Sequence, residues 1–211
     1  MKRLIPPTAA RRAGILGAAA MIVAFAAPGA AQQANGQKAT DFKLTDASGK
    51  TVQLSDYKGK TVVLEWNNPG CPFVQRHYQG NMQKTQAAAK AGGVVWLTIN
   101  SGAPGKQGHM EGAAAQKWVA DQKAVPAHYL LDPKGVVGKG YAAKTTPHMY
   151  IIDGQGVLRY QGGIDDKPAA RVEEMGAARN HVLAALGEMK AGKAVSVATS
   201  QPYGCSVKYA E

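Results

Sequence analysis

The strongest constraint on the fold is the run TVVLEW (Thr61 to Trp66), a β-branched and apolar stretch closed off by Gly59 before it and by Asn67, Asn68, Pro69 and Gly70 after it. A short, continuous run of this kind suits a strand buried on both faces. A sharp turn then delivers the chain to Cys71-Pro72, from which Val74, Tyr78, Met82 and Ala89 recur at helical spacing as far as Gly92. The spacing predicts one helix from Pro72 to Gly92, weakened at Gly80 by about 1 kcal/mol relative to alanine. Cys71 therefore stands at the N-cap or in the first turn. There the free N–H groups and the partial positive charge of a helix start favour a thiolate, which lowers a cysteine pKa from ~8.5 into the range of roughly 3.5 to 7.5. Pro72 suits the first turn, where its missing N–H would have had no helical partner. The turn is expected to be exposed, and the opposing reading is an inert, buried cysteine.

The other elements alternate. Phe42 to Thr45 and Thr51 to Leu54 read as a hairpin turning at Gly49. Strands are expected at Val94 to Ile99, His128 to Leu131, Met149 to Ile152 and Val157 to Gln161, with helices at Glu111 to Lys123, near Gly135 to Tyr141, and at Arg171 to Met189. This order specifies an α/β fold, a mixed central sheet with helices on both faces and an N-terminal hairpin. At 211 residues the chain needs only one such domain.

The first residues carry Lys2, Arg3, Arg11 and Arg12, then an uncharged apolar run from Ala13 to Ala27, then small residues. That pattern predicts a secretory signal peptide over residues 1–31, too short in its apolar part to span a bilayer. Arg11 and Arg12 leave both the general and the twin-arginine export routes open. A polar, Gln-rich linker at 32–38 is expected to be disordered, followed by the folded domain at 39–190 and a C-terminal arm at 191–211 that carries Cys205. Loss of the signal lowers the formal charge of +11 by four and leaves the mature chain basic. Its cations are scattered without interleaved aromatics, which speaks against a nucleic-acid partner, and stable membrane insertion after cleavage is not expected. Export places Cys71 and Cys205, the two cysteines present, where disulfides persist.

Taken in order, TVVLEW, the turn NNPGCPFV, the Thr146-Pro147 step before MYIID, GGIDD and the terminal YGCSVKY resemble the redoxin branch of the thioredoxin superfamily. More closely they resemble exported peroxiredoxin-like proteins of the alkyl hydroperoxide reductase and thiol-specific antioxidant type, over about Ala39 to Tyr209. The resemblance implies a thioredoxin-like three-layer fold and a thiol-dependent oxidoreductase whose nucleophile is Cys71. It implies that Pro147 is the cis-proline facing the nucleophile, with the Thr146 backbone left to pair with a substrate strand. Glu65, six residues before Cys71, matches a buried acid that accepts protons, or else is a rim glutamate at a strand end. Pro72, Phe73 and Pro147 are expected to receive an apolar partner segment. Cys205 is the candidate resolving thiol, the alternative being a free tail cysteine.

Departures from the family pattern shape the chemistry. Val74 stands where a thioredoxin has its second cysteine, so no local dithiol exists. Leu64 and Asn68 replace the proline and threonine that precede a peroxidatic cysteine, leaving the Asn68 amide as a donor to a reacting oxygen. The expected activity is therefore periplasmic thiol–disulfide exchange with protein or small-molecule thiols and disulfides, without a cofactor. A thiol peroxidase acting on peroxides is the alternative, and a non-catalytic binding or metal-binding module is the third reading. His77 and His148 are placed to approach the thiolate, and His109, His128 and His181 read as solvated residues. No ligand spacing predicts a metal site.

Overall fold

The computed structural model describes Met1, residues 33–168 and residues 172–210. The segment read as a signal peptide lies outside the described residues except for Met1, as does Arg171, the expected start of the last helix. The expected hairpin forms from β1 (Lys43–Asp46) and β2 (Thr51–Gln53). It turns at Gly49, whose φ of 88° costs nothing without a Cβ. A 3-10 turn over Leu54–Tyr57 leads to β3 (Val62–Trp66), buried along its whole length.

The reason for that burial is its position. β3 pairs in parallel with β4 (Val95–Asn100) and antiparallel with β7 (His148–Ile152). β4 pairs in parallel with β5 (His128–Leu131), and β7 pairs with β8 (Leu158–Gly162). The seven-stranded sheet runs β2-β1-β5-β4-β3-β7-β8, so β3 has a strand on each side and a packed layer on each face. Side chains alternate across a strand. Leu64 and Trp66 meet Leu97, Ile99, Tyr150 and Tyr141 on one face, while Val63 meets Trp96, Met149 and Ile151 on the other. The first face is covered by α4 (Val136–Gly140), and the second by α1 (Pro72–His77), α2 (Asn81–Ala91) and α5 (His181–Lys190). Trp118 of α3 (Gly112–Asp121) packs against that second cluster.

Three expectations need correction. The single helix from Pro72 to Gly92 is two, because Gly80 adopts φ 120° and stops the first. Gln83 clasps the break: its side-chain amide donates to the Tyr78 carbonyl at 2.6 Å and its carbonyl accepts from the Gly80 N–H at 3.1 Å. Val74, Tyr78, Met82 and Ala89 nevertheless all face the core, so the periodicity identified the buried face while missing the interruption. The last helix starts at His181, after a separate 3-10 stretch over Val172–Ala177, because the Asn180 side chain caps it by accepting from the Leu183 N–H at 2.9 Å. The linker expected to be disordered is ordered from Gln33 onward. The Gly36 N–H donates to Leu158 at 2.8 Å, Leu158 donates to Gln37 at 2.9 Å, and Asn35 donates to Ala198 of the arm at 2.7 Å. Its backbone thus extends the β8 edge, an interaction that polar composition does not reveal.

Asp46 ties the hairpin to the sheet. Its Oδ1 accepts from the Ser48 and Lys50 N–H groups at 2.8 and 2.9 Å, and its Oδ2 lies 2.7 Å from His128 Nδ1. Burial opposes ionisation of this carboxyl, but the bonds from Ser48, His128 and Lys50 outweigh it and bring the pKa down to about 2. A carboxyl whose folded-state pKa is depressed stabilises the fold above its unfolded value and loses that contribution as pH falls through the folded one. Asp46→Asn should cost about 1–2 kcal/mol in urea unfolding at neutral pH. The gap between variant and parent should narrow as the pH drops from about 4 toward about 2.

Candidate functional site

β3 ends at Trp66, and the turn that follows is built by Asn68. The Asn68 Oδ1 accepts from the Gly70 N–H at 2.8 Å and its main-chain carbonyl accepts from the Cys71 N–H at 2.9 Å. Cys71 is the extended N-cap of α1, with Pro72 at the first helical position, as the sequence implies. The expectation that this cysteine is exposed is not met. Cys71 has 0% of its surface accessible and belongs to the core cluster with Val74, Tyr78 and Met82.

What covers it is the C-terminal arm. β6 (Thr145–Thr146) pairs antiparallel with β9 (Cys205–Ser206), placing Cys205 directly opposite Thr146, and the Thr146–Pro147 peptide is cis. The pairing continues where the Val207 N–H donates to the Lys144 carbonyl at 3.1 Å, and further along the Ala103 N–H donates to the Lys208 carbonyl at 2.8 Å. Just before Cys205 the arm passes so close to Thr146 that a Cβ on Gly204 would lie 2.0 Å from the Thr146 carbonyl oxygen, and Gly204 has φ +121°. Only glycine allows that approach.

Both cysteines are free thiols, and they share their protons unequally. As a thiol, Cys71 donates from Sγ to the Thr146 carbonyl oxygen at 3.1 Å. Burial also resists its ionisation. Against this, the Cys205 thiol, the Val74 and Cys205 N–H groups and the Thr146 hydroxyl all favour the anion, and together they bring the Cys71 pKa below that of an ordinary cysteine. Burial and the adjacent Cys71 push the Cys205 thiol up to about 11. Of the two thiols, Cys71 is therefore the one that ionises more readily and Cys205 the one that keeps its proton.

The other residues singled out from sequence divide by position. Thr146 and Pro147 are buried beside the sulfur, whereas Pro72 is exposed and Phe73 half-buried, its ring 6.0 Å from that of Tyr203. The Asn68 amide donates to the Gln107 carbonyl at 3.2 Å, so it serves the loop and not the sulfur. Glu65 is fully buried at mid-strand, not on a rim. Its carboxylate accepts from Trp96 Nε1 at 2.8 Å, the Tyr78 hydroxyl at 2.9 Å, Asn67 Nδ2 at 3.0 Å, Thr98 Oγ1 at 3.1 Å and Gln86 Nε2 at 3.3 Å. Burial raises its pKa despite these donors. None of its hydrogen bonds reaches Cys71. His148 bonds with Lys144 and Tyr150, and His77 with Asn81 and Tyr203, so neither histidine contacts the thiolate. His128 is paired with Asp46 and is not simply solvated. Among the described residues no group of three or more His, Cys, Asp and Glu is arranged to hold a metal ion.

Sequence reasoning missed Tyr203, Asp165 and the donors that converge on Glu65. Aromatic and amide residues scattered over separate elements carry no spacing that announces a common target. The GGIDD segment was noticed only as a motif, and its Asp165 accepts from the Tyr203 hydroxyl at 2.6 Å.

Residues 35–161 match the family model described as AhpC/TSA. The chain belongs to the AhpC/TSA family. Within curated proteins it is 28% identical over 124 residues to the thiol-disulfide oxidoreductase ResA of Geobacillus kaustophilus, covering 59% of this chain and 66% of that one. It is 30% identical over 131 residues to the chloroplastic peroxiredoxin Q of Triticum aestivum, covering 57% of this chain and 54% of that one. The matches thus span about two thirds and about half of these relatives' lengths. A crystal structure of a hypothetical protein from Sinorhizobium meliloti superposes with a TM-score of 0.74 at 24% identity, covering 85% of this chain and 97% of the other. The fold is thioredoxin-like.

If the Cys205 thiol helps to hold the charge on Cys71, its removal must raise the Cys71 pKa. Cys205→Ala should shift the thiolate absorbance titration of Cys71 to higher pH by roughly one unit, as expected for the loss of one hydrogen bond to a charged group. An unchanged or lower midpoint would mean that the helix amides alone set the anion.

Proposed function

We propose that this chain is an exported thiol–disulfide oxidoreductase in which Cys71 attacks and Cys205 resolves. The observation that carries the reading is the β6–β9 pair, which sets Cys205 opposite Thr146 and its thiol against the Cys71 sulfur. A local second cysteine is absent at Val74, and the arm supplies one from the far end of the chain.

The reaction follows from the asymmetry of the pair. With the arm displaced, the Cys71 thiolate attacks one sulfur of an external disulfide, forms a mixed disulfide and expels the other half as a thiolate. Cys205 then loses its proton and attacks Cys71 Sγ, forming the Cys71–Cys205 disulfide and expelling the second thiolate. The external disulfide is reduced by two electrons and the protein is oxidised by two; the reverse sequence oxidises a dithiol. The Thr146 and Pro147 backbone, now paired with the arm, is the surface on which an extended partner segment lies, with Phe73 and Pro72 at its edge. Asn68 shapes the turn that presents Cys71. Glu65 acts as a positioning residue, its carboxylate joining Asn67 after β3 to Tyr78 after α1 across the nucleophile's turn. The apolar run behind basic residues at the N-terminus supports reading this exchange as periplasmic.

Similarity to a chloroplastic peroxiredoxin Q favours one second reading, in which peroxide oxidises Cys71 to a sulfenic acid and Cys205 attacks that sulfur with loss of water. Leu64 and the loop-engaged Asn68 leave the peroxide oxygens few donors, which places this reading second.

The test is to treat the reduced protein with either glutathione disulfide or hydrogen peroxide and to follow products by mass spectrometry. Glutathione disulfide should yield the Cys71–Cys205 disulfide in the parent and a stable glutathione adduct on Cys71 in Cys205→Ser. Cys71→Ser should react at least about 10-fold more slowly, since it removes the thiol whose pKa is lowered and leaves one whose burial still opposes ionisation. Faster formation of the same disulfide with peroxide would promote the second reading. No disulfide with either oxidant would overturn both.

A further inference from the structure

The arm reaches Cys71 through a contact made two residues earlier, at Tyr203. The Tyr203 hydroxyl donates to Asp165 Oδ1 at 2.6 Å and lies 2.9 Å from His77 Nε2. His77 Nδ1 lies 2.8 Å from Asn81 Nδ2. The amide can only donate to that ring nitrogen, so Nε2 carries the proton and donates to the tyrosine oxygen. The donors and acceptors then run in one direction, from Asn81 through His77 and Tyr203 to Asp165. His77 closes α1, the helix that Cys71 opens, while Asp165 belongs to the loop after β8. One hydroxyl therefore fixes the arm to the nucleophile's own helix and to the opposite wall of the site. Gly204 follows, pressed against the Thr146 carbonyl, and then Cys205. A second clasp lies beyond Cys205, where the Tyr209 ring sits over Gly135 and Gly138 and its hydroxyl donates to the Ala143 carbonyl at 2.8 Å.

We propose that Tyr203 is the latch of the redox pair, a positioning residue that seats Cys205 on Cys71 and, by the same contact, shuts external disulfides out. The inference rests on the Cys71–Cys205 couple described above. A latch of this kind has opposite effects on the two halves of the exchange. The first attack requires the arm to lift, because seated it leaves Cys71 with no exposed surface. The second requires the arm to return, because Cys205 must reach the sulfur of the mixed disulfide. Holding the arm down slows the first step and speeds the second.

Tyr203→Phe keeps the ring against Phe73 and removes only the hydroxyl. In the reduced variant, alkylation of Cys71 by iodoacetamide should rise about 10-fold, the factor expected from one hydrogen bond to a charged group. After mixing with glutathione disulfide, the glutathione adduct on Cys71, quenched in acid and weighed, should persist about 10-fold longer than in the parent. Gly204→Ala, which displaces the arm by collision with Thr146 and leaves the hydroxyl in place, should show the same pair of opposed changes. Far-ultraviolet circular dichroism at the assay temperature confirms that each variant is folded. Changes of the same sign in both steps for Tyr203→Phe, or no change in either, would overturn the latch. A parent protein that never forms the Cys71–Cys205 disulfide would instead overturn the couple, and the alkylation rates would still report whether Tyr203 holds the arm shut.

Discussion

The site depends on one constraint: an ionisable sulfur held out of water must find its donors within the protein. Desolvation opposes the Cys71 thiolate, and the groups that offset it come from three parts of the chain, the first turn of α1, the Thr146 hydroxyl of β6 and the arm. The helix supplies the Val74 amide, and the arm supplies the Cys205 amide and thiol. Undocking the arm would change two things together, since it would uncover Cys71 and remove part of the stabilisation of its thiolate. An incoming partner strand that pairs with Thr146 would restore backbone donors in the place vacated by β9.

Behind this surface the second polar centre is the Glu65 carboxylate. A carboxyl group inside a seven-stranded sheet is tolerable only when its oxygens find donors, and here indole, phenol, hydroxyl and amide groups from β4, α2 and the positions just after β3 and α1 converge on it. The cluster binds the helices to the sheet with directional contacts where apolar packing alone would permit sliding. Because Tyr78 and Asn67 flank the Cys71 turn, the position of Cys71 is tied to this fully buried carboxyl group. The two polar centres are joined through backbone and packing, with no hydrogen bond between Glu65 and the sulfur.

Much of the site was legible before any coordinates. The step from TVVLEW through NNPG to Cys71-Pro72 fixed a helix cap, because proline and the turn residues restrict the backbone locally. Thr146-Pro147, GGIDD and YGCSVKY were recognisable as motifs, but not their mutual contacts. The break at Gly80 is local, set by the positive φ of that glycine and the Gln83 side chain, which hydrophobic periodicity does not register. The ordering of residues 33–38 and the burial of Cys71 arise instead from contacts between segments far apart in sequence, where composition and periodicity carry no information.

By itself, then, the sequence determined the succession of strands and helices, the buried character of β3 and the cap position of Cys71, since each follows from local backbone preference and side-chain periodicity. Only the tertiary structure decided that Cys205 lies across from Thr146, that Tyr203 reaches both His77 and Asp165, and that Glu65 sits within a shell of donors instead of at a rim. Those pairings depend on the path of the arm over the finished domain. Chain closure over such distances is set by the sum of many weak contacts, and no short stretch of sequence encodes it.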